Sequence, residues 1–310
     1  MEKGIFYDVK MMARDGIFLK KAVRIALPVA MQGMLNTIVN LVDTMMIGAL
    51  GATAIAAVGL ANKVFFVFTL LVFGIVSGSG VLAAQYWGNG DIKNIKKVVG
   101  LALTLAVAAS IAFLVPAVVC PEAVMRIFTA SEDAIQVGAG YLTIVALSYP
   151  ATAVSNTFVA MLRATGRVKA PVVISSCTIF INIFFNYTFI YGNFGAPAMG
   201  AAGAALATLM ARLAEALSII LVVYLGKAPV AARFKEMFGY SREFLVQFFS
   251  TTSPVIANEF IWGLGTTLYS LPTAVWETMR WQRSPCHHDP GYCHGPVPGT
   301  ERGYGGNHGK

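Results

Sequence analysis

Charge is what this chain has least of. Of its 310 residues only 12% are Asp, Glu, Lys or Arg, while 56% are hydrophobic, and the mean hydropathy is +0.67. A soluble domain carries about 25% charged residues, so half that share excludes an ordinary soluble domain and points to a membrane protein. Acids are scarcer than bases, 15 against 23, giving a net charge of +8. A basic patch would suggest nucleic acid or anionic lipid, but the bases lie in short clusters between apolar runs, so no nucleic-acid partner is expected. Cysteine is rare as well. Cys120, Cys177, Cys286 and Cys293 are too scattered for a disulfide framework. No signal-peptide core precedes the first long run, so no cleavable leader is expected.

What the chain does have is long apolar runs. A bilayer core takes roughly 20 apolar residues in helical form. Seven runs qualify: 23–47, 55–86, 97–121, 137–161, 170–192, 199–225 and 244–271. Gly and Pro fall inside them (Pro28, Gly74, Pro116, Pro150, Gly203, Pro254), which packed membrane helices tolerate because neighbours re-satisfy the backbone. Small residues in "GAAGAALATLMA" and "SGSGVLAAQ" allow close helix approach. The composition and runs predict an all-α polytopic membrane protein.

Basic residues set the orientation. Lys3, Lys10, Arg14, Lys20, Lys21 and Arg24 precede the first run. Alternate loops then carry Lys93, Lys96 and Lys97; Arg163, Arg167 and Lys169; and Lys227, Arg233, Lys235 and Arg242. The opposite loops hold Arg126 among Glu122, Glu132 and Asp133. This one-sided pattern predicts a multi-pass protein of the cell (inner or plasma) membrane with its N-terminus in the cytoplasm. A short internal similarity accompanies it. "LPVAMQGML" at 27–35 and "SPVIANEFI" at 253–261 share Pro-Val and an amide four positions after the proline. Six spans followed by a restart of the first is what a transporter of two similar halves shows.

One acid sits inside the first run. "NTIVNLVDTMMIGALG" holds Asp43, 19 residues past Arg24 and so roughly 28 Å along a helix, in the outer part of the span. A charge at bilayer depth costs about 2.5–3.5 kcal/mol and persists where it faces protein or water. Asn36, Asn40 and Asp43 fall at i, i+4 and i+7 on one helix face, and a buried polar stripe needs partners. Asn182 and Asn186, four apart in "FINIFFNYTFIYG", and Thr208 in "GAALAT" are candidates. Carboxylate, amide and hydroxyl oxygens form a hard-ligand set for Na⁺, or surround a shared proton. Two other readings of the same residues are a carboxylate capping the next helix and plain interhelical hydrogen bonding. Arg212 and Glu215, three apart, are expected to pair with each other. Lys63 can snorkel, and "FFVFTLLVF" reads as a lipid- or core-facing stripe.

Seven stretches in order resemble the multidrug and toxic compound extrusion (MATE) family: "PVAMQGMLNTIVNLVDTMMIGALG", "AIAAVGLANKVFF", "SGSGVLAAQYWGNGD", "YLTIVALSYPATAVSNTFVAMLRATGRVKAP", "INIFFNYTFIYG", "MGAAGAALATLMARLAEA" and "SPVIANEFIWGLGTTLYS". The resemblance implies an antiporter, not an enzyme, that exports amphipathic and often cationic drugs or organic cations against H⁺ or Na⁺ entry. It implies two six-helix lobes around a central cavity, no cofactor beyond the coupling ion, and no obligate protein partner. Asp43 matches the family's ion-coupling carboxylate and Asn182 its fifth-helix asparagine. Asn186 stands where some members carry a second aspartate. Thr208 matches the sixth-helix threonine and Glu259 the seventh-helix glutamate. Gln32, Asn36 and Asn40 are the candidate cavity-lining residues. A lipid-linked oligosaccharide flippase of the same superfamily is the alternative, but it would need several cavity cations where Arg212 and Lys63 are available.

The expected organisation is a cytoplasmic arm (1–22), a six-helix lobe (23–226), a cytoplasmic connecting segment (227–243), the first helix of a second lobe (244–271) and a tail (272–310). The tail is polar and rich in Gly, Pro and His. Cys286, His287, His288, Cys293 and His294 fit no usual zinc spacing, so no metal site is expected. One codon choice for 272–283, shifted by a base, spells a continuation resembling the family's. The tail is therefore read as frameshifted and disordered, which leaves an inactive fragment as a further alternative.

Overall fold

The computed structural model describes residues 16–282, and among them it is helical with no strand. Ten helices follow in order: α1 (Gly16–Gly48), α2 (Ala52–Gly88), α3 (Ile92–Val119), α4 (Pro121–Arg126), α5 (Glu132–Ala146), α6 (Tyr149–Ala164), α7 (Lys169–Tyr191), α8 (Ala201–Leu225), α9 (Phe234–Met237) and α10 (Arg242–Gln282). Four of them, α2, α3, α7 and α8, are long and apolar enough to cross a membrane, and α5 with α6 qualifies as a bent pair. The helices over the first and seventh apolar runs, α1 and α10, are 33 and 41 residues long.

The fourth apolar run departs from a single straight span. It is broken between Ala146 and Tyr149, where α5 and α6 meet at 47°. Pro150 lies in the first turn of α6 and has no N–H to continue the ladder. Leu147 and Ser148 turn instead to carbonyls three residues back, Ile144 and Val145, the tighter pattern that ends a helix. The Ser148 hydroxyl also donates to the Val145 carbonyl, at 2.6 Å.

Two apolar clusters hold the lobe. One gathers Val58, Phe68, Leu142 and Tyr149 around the beginning of α2, with the Tyr149 ring stacked on Phe68 at 4.7 Å. The other gathers Leu82, Ile95, Phe158 and Val223 around the end of α2 and the start of α3. The connecting segment is docked on the lobe. Lys96 pairs with Glu236 at 2.9 Å, and beyond the segment Tyr86 donates to Gln247 of α10 at 2.8 Å. The backbone N–H of Arg233 and then the Lys96 ammonium hold the Glu236 carboxyl below the usual carboxylate range.

Small residues set the helix spacing. α7 and α8 form the most extensive helix pair. They close on each other at Gly203, where an added Cβ would strike the Phe189 carbonyl. Gly192 ends α7 in the left-handed region, φ 74°, where a side chain would be strained. α2 crosses α10 in the same manner: a Cβ on Gly78 would lie 2.8 Å from the Thr252 Cα. α1 carries its apolar residues outward, with Leu27, Met31, Met34, Ile38, Leu41 and Met45 all exposed. By contact the chain divides at Phe260. The second unit begins at Ile261, and its described part is the continuation of α10 to Gln282. Residues 283–310, with the Cys286–His294 cluster, lie outside the described residues, as do 1–15.

Gly203→Leu should force α8 off α7 and destabilise the lobe by about 1–3 kcal/mol. Thermal unfolding of the detergent-solubilised protein would register this as a lowered melting temperature. An unchanged transition would refute close backbone approach at this position.

Candidate functional site

Asp43 lies on α1, one turn before its end, and faces α7 half-buried. Its carboxylate Oδ1 accepts a hydrogen bond of 2.6 Å from the Asn186 side-chain Nδ2. Asn186 in turn donates to the Oδ1 of Asn182 at 3.2 Å. Both amides are buried, Asn186 at 1% and Asn182 at 7% exposure. A hydrogen bond to an ionised acceptor is roughly twice as strong as a neutral one, so the amide favours the carboxylate form of Asp43. The Asn186 Oδ1 is buried with no hydrogen-bond partner. Native structures rarely leave such an atom unsatisfied. The site therefore offers a carboxylate and, on the same amide that donates to it, an unused oxygen, both hard ligands.

A second polar group continues the seam between α7 and α8. Glu215 is 8% exposed. It accepts from the Ser175 hydroxyl at 3.0 Å and from Arg212 Nη1 at 2.9 Å. The pairing of Arg212 with Glu215 is the one their three-residue spacing leads one to expect. Ser175 was not a candidate, yet it lies seven residues before Asn182 on the same face of α7, the spacing that could have found it. On α5 the Tyr141 hydroxyl donates to Asn62 of α2 at 3.3 Å. The Tyr149 hydroxyl is buried without a partner.

The other sequence candidates divide. Thr208 spends its hydroxyl on the Ala204 carbonyl of its own helix, 3.0 Å away, and makes no hydrogen bond to Asp43. Asn40 is exposed on α1 and receives the Thr44 hydroxyl at its backbone carbonyl. The Asn36 side chain lies outside the described residues. Gln32 is buried at 7% exposure, and its Oε1 accepts from Arg163 Nη2 of α6 at 2.7 Å. It is thus committed to an interhelical tie. Glu259 sits half-buried on α10, without a hydrogen bond or ion pair among the described residues. Asp43, Asn182 and Asn186 are the three that come together.

A family model, MatE, matches residues 28–188, more than half of the chain and including the whole Asp43–Asn182–Asn186 group. The chain belongs to the MatE family. Among MatE relatives it is 29% identical over 206 residues to a probable multidrug resistance protein NorM of Thermotoga maritima, an alignment covering 66% of this chain and 44% of the relative. It is 30% identical over 210 residues to a probable multidrug resistance protein YoeA of Bacillus subtilis, covering 67% and 45%. The chain spans about half the length of the curated relatives it matches. The fold is likewise that of a solved outward-facing multidrug resistance MATE family transporter of the MOP superfamily. That likeness has a TM-score of 0.70 at 23% identity and covers 78% of this chain and 52% of the other. MatE membership and the apolar helices together make this a membrane protein.

Removing the Asn186 amide should leave the carboxylate without its donor. Asn186→Leu is expected to cost about 1–3 kcal/mol, measured as a drop in unfolding midpoint at neutral pH. Asn186→Leu in an Asp43→Asn background should cost distinctly less. Equal costs in both backgrounds would mean that the bond contributes nothing.

Proposed function

We propose that this chain provides the ion-coupling lobe of a cation-driven exporter, one that moves amphipathic and often cationic drugs out across the cell membrane in exchange for H⁺ or Na⁺. The single observation that carries the reading is the half-buried Asn186–Asp43 hydrogen bond, 2.6 Å long, with an unpartnered oxygen on the same amide. A carboxylate held within a membrane helix is a functional site by default. This one can take a proton on its free oxygen, or a Na⁺ between that oxygen and the Asn186 Oδ1. The printed names of the relatives, multidrug resistance proteins, support the substrate class. The alternating basic loops support an N-terminus in the cytoplasm.

In this reading Asp43 is ionised while a cationic drug occupies the lobe. Entry of the coupling ion from outside neutralises it and favours the conformation that releases the drug. An ion can shift that balance only by its difference in affinity for the two states. Asn186 and Asn182 orient the carboxylate through both states. The two hydrogen bonds keep its position fixed in the low-dielectric seam, where one charge more or less has its greatest effect.

Drug accumulation in cells expressing the protein, followed with and without a proton or Na⁺ gradient, tests the reading. Asp43→Asn should raise accumulation to the level of cells lacking the protein, by tenfold or more in export rate, while the variant still reaches the membrane. Export that continued at the parent rate, with substrate-induced ion release intact, would remove Asp43 from the mechanism.

A further inference from the structure

We propose that Arg212 recognises a carboxylate carried by a zwitterionic amphipathic substrate, and so decides which drugs the lobe accepts. The inference rests on the exporter reading and adds a specificity-determining residue to it. It concerns the Ser175–Glu215 end of the seam and involves no contact with Asp43.

Arg212 lies eleven residues after the start of α8 and thirteen before its end, roughly 16 Å along the axis from the nearer one. A side chain cannot snorkel that far to the membrane surface. α8 turns Met210, Leu213, Leu217 and Leu221 outward, all of them exposed. Arg212 belongs to the opposite side. Ala205, seven residues before it, and Ala216 and Ile219, four and seven after it, share its face and are buried. Yet the Arg212 side chain is 40% exposed, against 10% for that of Glu215. The opening therefore lies on the side of α8 that α5, α6 and α7 pack against, away from the exposed leucines. A charge at this depth persists where it meets water or protein, so this opening is a wet recess within the lobe.

Spare donors are what the recess presents. Glu215 is already committed, accepting the Ser175 hydroxyl at one oxygen, 3.0 Å away, and Arg212 Nη1 at the other, 2.9 Å away. Arg212 gives that pair a single nitrogen, and the rest of its guanidinium makes no hydrogen bond among the described residues. A guanidinium carries five donors in a rigid fork, so an edge able to take a carboxylate through two parallel bonds stays open. The charge count then selects the ligand. Arg212 and Glu215 cancel, so a simple anion would leave one uncompensated negative charge in mid-membrane, which is strongly disfavoured. A zwitterion brings a cation with its carboxylate and leaves no net charge.

Binding of two fluorescent probes to the purified protein separates this from a structural ion pair. One probe is the betaine of dimethylglycine with a pyrenylmethyl group on its nitrogen. The other is the methyl ester of that betaine, which keeps the quaternary cation and the pyrene and loses only the negative charge. Fluorescence anisotropy follows both. Arg212→Gln combined with Glu215→Gln removes the pair without stranding a buried charge. The betaine should then bind about tenfold more weakly, the scale of a hydrogen bond to a charged group, while the ester binds as to the parent. Glu215→Gln alone leaves an acceptor for Ser175 and frees the guanidinium, so the betaine should bind more tightly and the ester more weakly. Arg212→Lys keeps the charge without the fork and should fall between the parent and the double variant for the betaine. Equal shifts of the two probes in the double variant, or no shift, overturn the role of Arg212 and leave the exporter reading standing. A parent protein that binds neither probe overturns this inference together with the reading of the lobe as a drug site.

Discussion

The hydrogen bond from Asn186 to Asp43 is the constraint around which the lobe is arranged. A carboxylate on an otherwise apolar helix has nowhere to go in a bilayer unless another helix meets it, and α7 does so with a donor at 2.6 Å. α1 packs chiefly against α7 and turns a stripe of Leu, Met and Ile side chains away from the lobe. Apolar contacts give little net drive for helix association in a membrane, because lipid tails are as apolar as leucine. Polar ties therefore weigh heavily in fixing α1. There are two among the described residues that join its side chains to the lobe's: Asp43 to Asn186 near its end, and Gln32 to Arg163 a little more than three turns earlier.

Polar ties demand precise helix spacing, and the glycines provide it. α8 reaches α7 where Gly203 leaves room for the Phe189 carbonyl. That approach lets a short serine on one helix touch a glutamate on the other. Over the same pair the amides of α7 remain buried rather than opening to lipid. Backbone proximity and site geometry are one feature here, because side chains of two or three carbons cannot bridge helices held apart at ordinary distance.

The helices were legible in the sequence because apolar runs of bilayer length have few alternatives. Each described run became helical, with bounds within a few residues except where α1 and α10 extend further. Asp43, Asn182 and Asn186 were legible because polar residues spaced four or seven apart on an apolar helix must share a face. Whether such a face meets a partner depends on the neighbouring helix, and here the residues part company. Thr208 has the right spacing but bonds its own backbone, the local competition that hydroxyls always offer. Gln32 has the right location along α1, yet Arg163, a residue 131 positions away, claims it. The break at Ser148 was partly legible, since Pro150 was visible in the run, but a proline in a membrane helix does not by itself say whether the helix bends or ends.

The charges along the seam also bear on which ion the site suits. Asp43 and Glu215 are the two acids of the seam, and Glu215 is paired with Arg212 at 2.9 Å, so the charge left to be balanced there is that of Asp43. Asn186, which meets Asp43 as a neutral amide, adds no second charge. Hard divalent cations take six or more oxygen ligands, usually with several carboxylates, and this seam offers one uncommitted carboxylate oxygen and one amide oxygen. A proton or a single Na⁺ balances that charge without excess, and a monovalent organic cation would do the same from the drug's side. On the proposed reading, then, exchange of one monovalent charge for another follows from the residue types at positions 43, 182 and 186, a single acid held by two neutral amides.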